Sequence, residues 1–197
     1  ELRARLQRVH DSATRSAHLV NQLLTLARAE PESVMAQDRQ RFDLHRMAQT
    51  LTAEWVPRAL KAHIDLGMDE LTTQAVWVHA NELLIREALT NLIDNALHYA
   101  GAGSQVTVRV QPAPLTPEHL NTPMAVLEVI DNGPGIPAGD KDRVFERFVR
   151  ATDAGNGCGL GLAIVKEIVE RHAGQVELTD AHPGLCVRVR LPMASNT

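Results

Sequence analysis

NELLIREALTNLIDNALHYA, residues 81–100, is the stretch from which the rest of the chain can be read. Asn81 is a preferred N-cap, Leu84, Ala88, Leu92 and Ala96 recur at every fourth position, and Gly101 follows as a stop. The pattern predicts a helix over 81–100. Glu87, Asn91 and Asn95 stand at i, i+4 and i+8, so they drift only about 40° per step around one face. Asparagine costs helix propensity relative to alanine, and a solvated face is more usually built from Lys, Arg and Glu. Two readings stand here: a polar surface, or a column of oxygens suited to a hard cation such as Mg²⁺.

Outward from this helix the chain alternates between two periods. Residues 43–61 read as helical, with Pro57 expected to kink or shorten the run, and AHIDLGM (62–68) and AVWVHA (75–80) read as strands. QVTVRV (105–110) and MAVLEVI (124–130) are strands joined by a Pro-rich loop, and 131–159 reads as loop. A helix over 160–172 and strands QVELTD (175–180) and LCVRVRL (185–191) with a Pro-Gly turn complete the pattern. Paired strands beside three helices predict an α/β two-layer sandwich with a mixed sheet. At the other end, residues 1–29 lack Gly and Pro, and Leu2, Leu6, Val9, Ala13, Ala17, Val20, Leu24 and Ala27 form a seam of roughly 3.5-residue period. That seam reads either as one amphipathic helix lying on its own domain or as a long helix packed on partner helices, and a helix at a chain end favours the second, a homodimer. The expected division is a helix over 1–30, a polar linker over 31–41 and a globular domain over 42–194.

Composition narrows the function classes. Of 197 residues 44% are hydrophobic, enough for a core, while a net charge of −4 argues against nucleic acid. Three Phe, two Trp and one Tyr leave no stacking platform for single strands. Cys158 and Cys186 match no metal or redox spacing and read as reduced thiols in a cytosolic chain. No apolar run approaches the roughly 18 residues that span a bilayer, and there is no signal peptide. The chain starts without Met inside a helical pattern, so it is expected to be cut from a longer protein, with any membrane contact through missing upstream segments.

Two further stretches carry chemistry. DNGPGIP (131–137) follows an apolar strand directly. It is a turn by composition, yet Asp131 at a buried strand end needs a donor, and Gly133 and Gly135 leave room for a flat ligand bearing an exocyclic amine. GNGCGLGLAIV (155–165) fails the dinucleotide fingerprint, because Leu160 and Leu162 stand where a third glycine is required. It also lacks the lysine of a P-loop. A run of backbone N–H groups entering a helix start remains, a place where anions are favoured. Arg147 and Arg150, in VFERFVR (144–150), are read either as a solvated face or as phosphate contacts.

Taken in order, NELLIREALTNLIDNALHYA, DNGPGIP, FERF and GNGCGLGLAIV resemble the four boxes of the ATP-binding domain of sensor histidine kinases of bacterial two-component systems. HLVNQLLTLARAE resembles the second helix of their dimerisation and phosphotransfer hairpin. The resemblance implies a Bergerat-type ATP-binding fold preceded by a long dimerisation helix, with ATP and Mg²⁺ as cofactors. Carried over, Asn95 ligates Mg²⁺ and Asn91 lines the same site, while Glu87 is a base or water-orienting group near the γ-phosphate. Asp131 accepts from adenine N6, Gly133 and Gly135 allow its close approach, and Tyr99 packs on the adenine. Arg147 and Arg150 face the γ-phosphate, and Gly157, Gly159, Leu160 and Gly161 contact the phosphates through backbone.

The chain departs from the family in three places. His98 stands where Lys or Arg is usual, and the lid ATDAGN (151–156) is short. His10 opens HDSAT without a following Pro and too close to LLTLAR for a helix, a turn and a second helix, so the phospho-acceptor is expected upstream of Glu1. The implied function is ATP-dependent transfer to a histidine, which then phosphorylates a response regulator; the parent is expected in the bacterial inner membrane and this portion in the cytoplasm. An ATP-driven conformational clamp of the same superfamily, or an ATP-binding and dimerising module without kinase activity, are the alternatives.

Overall fold

The computed structural model describes residues 38–69, 74–114, 123–149 and 159–194. The seam helix over 1–29, most of the 31–41 linker, Arg150, Gly157, Cys158 and the ATDAGN segment lie outside the described residues.

In chain order the elements are β1 (Gln40–Asp43), α1 (Leu44–Lys61), β2 (Asp65–Met68), β3 (Trp77–Ala80), α2 (Glu82–Tyr99), β4 (Gln105–Pro112), β5 (Met124–Asp131), α3 (Gly161–Arg171), β6 (Gln175–Asp180) and β7 (Leu185–Pro192). Two short 3₁₀ turns, Ala138–Asp140 and Arg143–Phe145, lie between β5 and α3. The main sheet has the order β2-β4-β5-β7-β6. β2 runs parallel to β4 and every other pairing in it is antiparallel, the mixed sheet expected. β1 and β3 form a separate antiparallel ribbon.

Three local readings change. Gln40 and Arg41, placed at the end of the linker, belong to β1, which the sequence reading did not anticipate; its short run shows its role only when paired with β3. α1 passes through Pro57 to Lys61 without stopping. The pyrrolidine removes one i→i−4 bond, and Arg58 compensates locally, stacking 4.7 Å from the Trp55 ring and reaching Asp94 at 2.7 Å. β2 begins at Asp65 rather than at residue 62, because Ala62–Ile64 reverse the chain: His63 sits at φ 57 and the Ile64 N–H returns to the Ala59 carbonyl at 3.0 Å.

The caps explain where the first two helices start. Asp43 accepts from the His45 N–H at 3.0 Å and also from Val76 at 3.1 Å, tying α1 to the approach of β3. The Asn81 side chain accepts from the Leu84 N–H at 3.1 Å, as its position predicted. α2 buries more than its four-residue stripe, since Ile85, Leu89, Ile93 and Leu97 are buried too. At about 1.5–3 kcal/mol per buried Leu or Ile, these apolar side chains make α2 the central rod of the helical layer, with α1 and α3 packed on it.

Strand parity then sorts the sheet. Ala125, Leu127 and Val129 of β5 face the helices with Val106, Val108 and Val110 of β4 and Val189 and Leu191 of β7, and the same parity places Asp131 on that face. The opposite face carries a ladder of alternating charge across four strands: Arg109, Glu128, Arg188 and Glu177 stand directly opposite one another in register. Arg188 donates to Glu128 at 2.6 Å and to Glu177 at 2.7 Å, and Arg109 bonds Asp69 at 2.7 Å beyond β2. Glu128 is fully buried, and its two guanidinium neighbours make that burial tolerable.

Candidate functional site

The expected site residues converge around the C-terminal half of α2. Glu87, Asn91, Asn95 and Tyr99 lie on one face of this helix, and the Asn91 side-chain N–H donates to the Glu87 carbonyl at 2.9 Å. Glu87 and Asn95 are about 12 Å apart along the axis at the helical rise. The two side chains therefore stand about two helical turns apart along this face.

α3 starts against Asn95. A Cβ on Gly161 would lie 3.0 Å from the Asn95 side-chain nitrogen and 3.1 Å from its oxygen, so the hydrogen of glycine is what allows the contact. Gly161 opens an 11-residue helix whose N-cap, Leu160, is buried and supplies no side-chain acceptor. α1 and α2 are capped by Asp43 and Asn81, whereas among the described residues no side chain caps the first turn of α3. An uncapped helix start beside a carboxamide is suited to phosphate oxygens, through both the free amides and the helix dipole.

The other end of the site is built on β5. Asp131 ends the strand, and its carboxylate accepts from the Gly133 N–H at 2.9 Å. Burial raises its carboxyl above the usual carboxylate range, while hydrogen bonds from the Gly133 and Leu185 backbone pull the other way. A Cβ on Gly133 would come within 2.6 Å of the Ala100 Cα, so the loop after β5 lies flat on the end of α2, next to Tyr99. Tyr99 is partly exposed, with its ring edge-on to His98 at 4.8 Å. Gly135, at φ 73, lies against the Gly184 carbonyl.

Among the described residues, Arg147 stands apart from this convergence. Arg147 is exposed, in the turn that follows Arg143–Phe145. Its segment is nonetheless tied to the start of α3. The Phe148 N–H donates to the Gly159 carbonyl at 2.8 Å, Lys166 lies 5.9 Å from the Phe145 ring, and a Cβ on Gly159 would strike the Val149 carbonyl at 2.7 Å. Arg150 and Gly157 lie outside the described residues.

The sequence reading missed the β6–β7 turn as part of this site. Gly184, at φ 105, leaves so little room that a Cβ would overlap the Asp131 carbonyl oxygen at 1.8 Å, and the Leu185 backbone lies close enough to lower the Asp131 carboxyl against its burial. Composition marks Pro183-Gly184 only as a turn, because nothing local says what the turn rests on.

Among the described residues no cluster of three or more His, Cys, Asp or Glu is placed to hold a metal, and no helix is long and apolar enough to cross a membrane. The donors present, the Asn95 and Asn91 amides and the Glu87 carboxylate, are hard oxygen ligands of the type Mg²⁺ takes when phosphates supply the rest.

With this geometry in view, similarity to known proteins is specific. Residues 80–195 match the family described as histidine kinase-, DNA gyrase B- and HSP90-like ATPase. The sensor protein kinase PmrB of Pseudomonas aeruginosa is 37% identical over 191 residues, covering 95% of this chain and 38% of PmrB. The chain spans 36–42% of the length of PmrB and of the sensor histidine kinases RppB of Synechocystis and TrcS of Mycobacterium tuberculosis. The mycobacterial sensor histidine kinase MprB superposes with a TM-score of 0.63 at 28% identity, over 79% of this chain and 97% of that one. Full-length ShkA, solved in complex with AMPPNP, shares the fold with a TM-score of 0.75 at 23% identity, over 99% of this chain and 39% of ShkA. The α/β sandwich, its glycine-bearing helix start and the match over more than half its length place the chain in the histidine kinase-, DNA gyrase B- and HSP90-like ATPase family.

Proposed function

We propose that this chain is the catalytic part of a sensor histidine kinase, binding ATP with Mg²⁺ between α2 and α3 and donating the γ-phosphate to a histidine. The observation that carries the reading is the uncapped start of α3 with Gly161 pressed on the Asn95 amide. Among the described residues α1 and α2 each start on a side-chain cap, and α3 starts without one. Full-length ShkA, a protein of the same fold, was solved in complex with AMPPNP, which supports a nucleotide as the ligand.

In this reading Asp131 accepts the adenine amine, Gly133 and Gly135 keep the base plane open, and Tyr99 packs on its edge. The phosphates lie towards Gly159, Leu160 and Gly161, with Gly157 extending the same backbone run. Asn95, assisted by Asn91, would hold Mg²⁺, which supplies charge neutralisation of the phosphates. Glu87 is placed on the far side of that column, where it can orient a nucleophile or accept its proton. Arg147 and Arg150 are assigned to the γ-phosphate on a segment fastened to α3 through Phe148 and Gly159. Phosphoryl transfer needs little beyond such positioning and charge neutralisation. The seam over residues 1–29 is assigned to homodimerisation and to docking of a response regulator. Attachment to the bacterial inner membrane is assigned to the parent protein, with this portion on the cytoplasmic side.

The test is to incubate the chain with γ-labelled ATP, Mg²⁺ and a supplied histidine-bearing dimerisation hairpin, and to look for acid-labile phosphohistidine. Label should appear with the native chain and be lost with Asn95→Ala. ATP hydrolysis without phosphohistidine would favour the clamp reading. Binding with neither would leave an ATP-binding module alone.

A further inference from the structure

His172 ends α3, and it is among the few buried polar side chains described here, at 4% exposure. Both of its ring nitrogens are used. Nε2 accepts the backbone N–H of Asn81 at 3.1 Å, and Nδ1 lies 2.7 Å from the Ile168 carbonyl. Because Nε2 must accept, the hydrogen resides on Nδ1 and donates to Ile168. The imidazole is thus held neutral and bridges the end of α3 to the N-cap of α2.

The partners matter because of where the two helices lead. The start of α2 meets the end of α3 at His172, and fourteen residues further along α2, Asn95 meets the start of α3 at Gly161. α3 is a rod of 11 residues, about 16 Å long. Its axial position at one end dictates its position at the other. Between the two ends the α2–α3 contact is apolar, through residues such as Ile164, Val165 and Ile168, and apolar contact is not directional. Among the described residues no side chain caps the start of α3 to fix it. The exit turn is seated on the sheet as well, since a Cβ on Gly174 would strike the Arg190 carbonyl at 2.4 Å. The charged groups nearest this junction are Arg39, which donates to the Arg171 carbonyl at 2.6 Å, Arg171 itself, paired with Glu167 at 2.5 Å, and Glu82 on α2.

We propose that His172 is a positioning residue for the nucleotide site, fixing how far α3 slides along α2 and hence where Gly161 and the first-turn amides stand relative to Asn95. This inference rests on the reading that nucleotide phosphates bind between these helices.

Two substitutions divide the bonds of His172. In His172→Gln the side-chain oxygen reaches the place of Nε2 and keeps the Asn81 bond, whereas in His172→Asn the nitrogen reaches the place of Nδ1 and keeps only the Ile168 bond. Mg-ATP affinity is measured on the full chain well below its melting point, beside thermal melts. His172→Gln should bind within about twofold of the native chain, and His172→Asn should lose about five- to tenfold, because nucleotide binding must then restore the helix position that the Asn81 bond no longer holds. A role in helix stability alone would lower both melting points alike and leave both affinities unchanged. A second measurement needs no variant: saturating Mg-ATP should slow hydrogen exchange of the Asn81 amide, because coupling between two sites is reciprocal. Native affinity in His172→Asn, equal losses in both variants, or unchanged Asn81 exchange on ATP binding would each overturn the inference while leaving the functional reading intact. Failure of the native chain to bind Mg-ATP would overturn both.

Discussion

Gly161→Ala separates the fold of this protein from its site. Gly161 is the first residue of α3 and carries no left-handed φ, so alanine meets no backbone strain there. Alanine is a better helix former than glycine by about 1 kcal/mol in a helix interior, and somewhat less in a first turn. For a domain of this size that corresponds to a melting point unchanged or raised by about 1–3 °C. The new methyl group would sit 3.0 Å from the Asn95 nitrogen, 3.1 Å from its oxygen and 3.4 Å from its carboxamide carbon. Ordinary van der Waals contact needs about 3.5–4.0 Å, so the carboxamide must retreat by about half an ångström. It is the end of a side chain and can do so, at an off-rotamer cost of about 0.5–1.5 kcal/mol. Mg²⁺ tolerates little departure from its octahedral geometry, so the displaced amide is expected to weaken Mg-ATP binding about tenfold. Calorimetric titration with Mg-ATP beside a thermal melt reads both quantities. Unaltered Mg-ATP affinity would refute the pairing of Gly161 with Asn95 as part of the site, and a large fall in melting point would refute the claim that Asn95 yields easily.

Two other substitutions act at the opposite end. Asp131→Asn should abolish nucleotide binding without destabilising the fold, because the amide oxygen still accepts from Gly133 while a buried charge is removed. The native carboxyl titrates above its ordinary value, so the unfolded chain releases that proton first. Its contribution to stability is therefore full below the ordinary carboxylate pKa and is lost as pH rises through the raised native value, and denaturant melts across pH should show this slope vanish in the variant. Gly184→Ala should destabilise by about 3 kcal/mol or more, from a left-handed φ combined with overlap on the Asp131 backbone. Urea unfolding checks this, and a midpoint equal to the native one would show that the β6–β7 turn does not press on Asp131.

Much of this architecture is local in origin and so legible along the chain. Asn81 and Gly101 bracket α2 because capping is settled within a few residues. The placement of Asp131 on the helical face follows from strand parity, once β5 is recognised as buried. β1 was not legible, since four residues make a strand only when β3 pairs with them. Pro57 misled for a related reason: the penalty is local, but the packing of α1 and the Arg58–Asp94 ion pair that offset it are not.

The site divides along the same line. The amino-acid sequence alone determined which chemical groups are available: amides and a carboxylate at helical spacing, an aspartate at a strand end, and glycines at a helix start. Their order along the chain also determined the family. Only the tertiary structure decided that Gly161 rests on Asn95, that Gly133 lies on Ala100, that Gly184 and Leu185 hold Asp131, and that His172 joins the ends of α2 and α3. These contacts join residues 33 to 91 positions apart or lie between elements whose packing is set by the shared apolar core. No local propensity specifies such a pairing, because the free energy that fixes it is the burial of the whole α2–α3–sheet interior rather than any preference of the residues that finally touch.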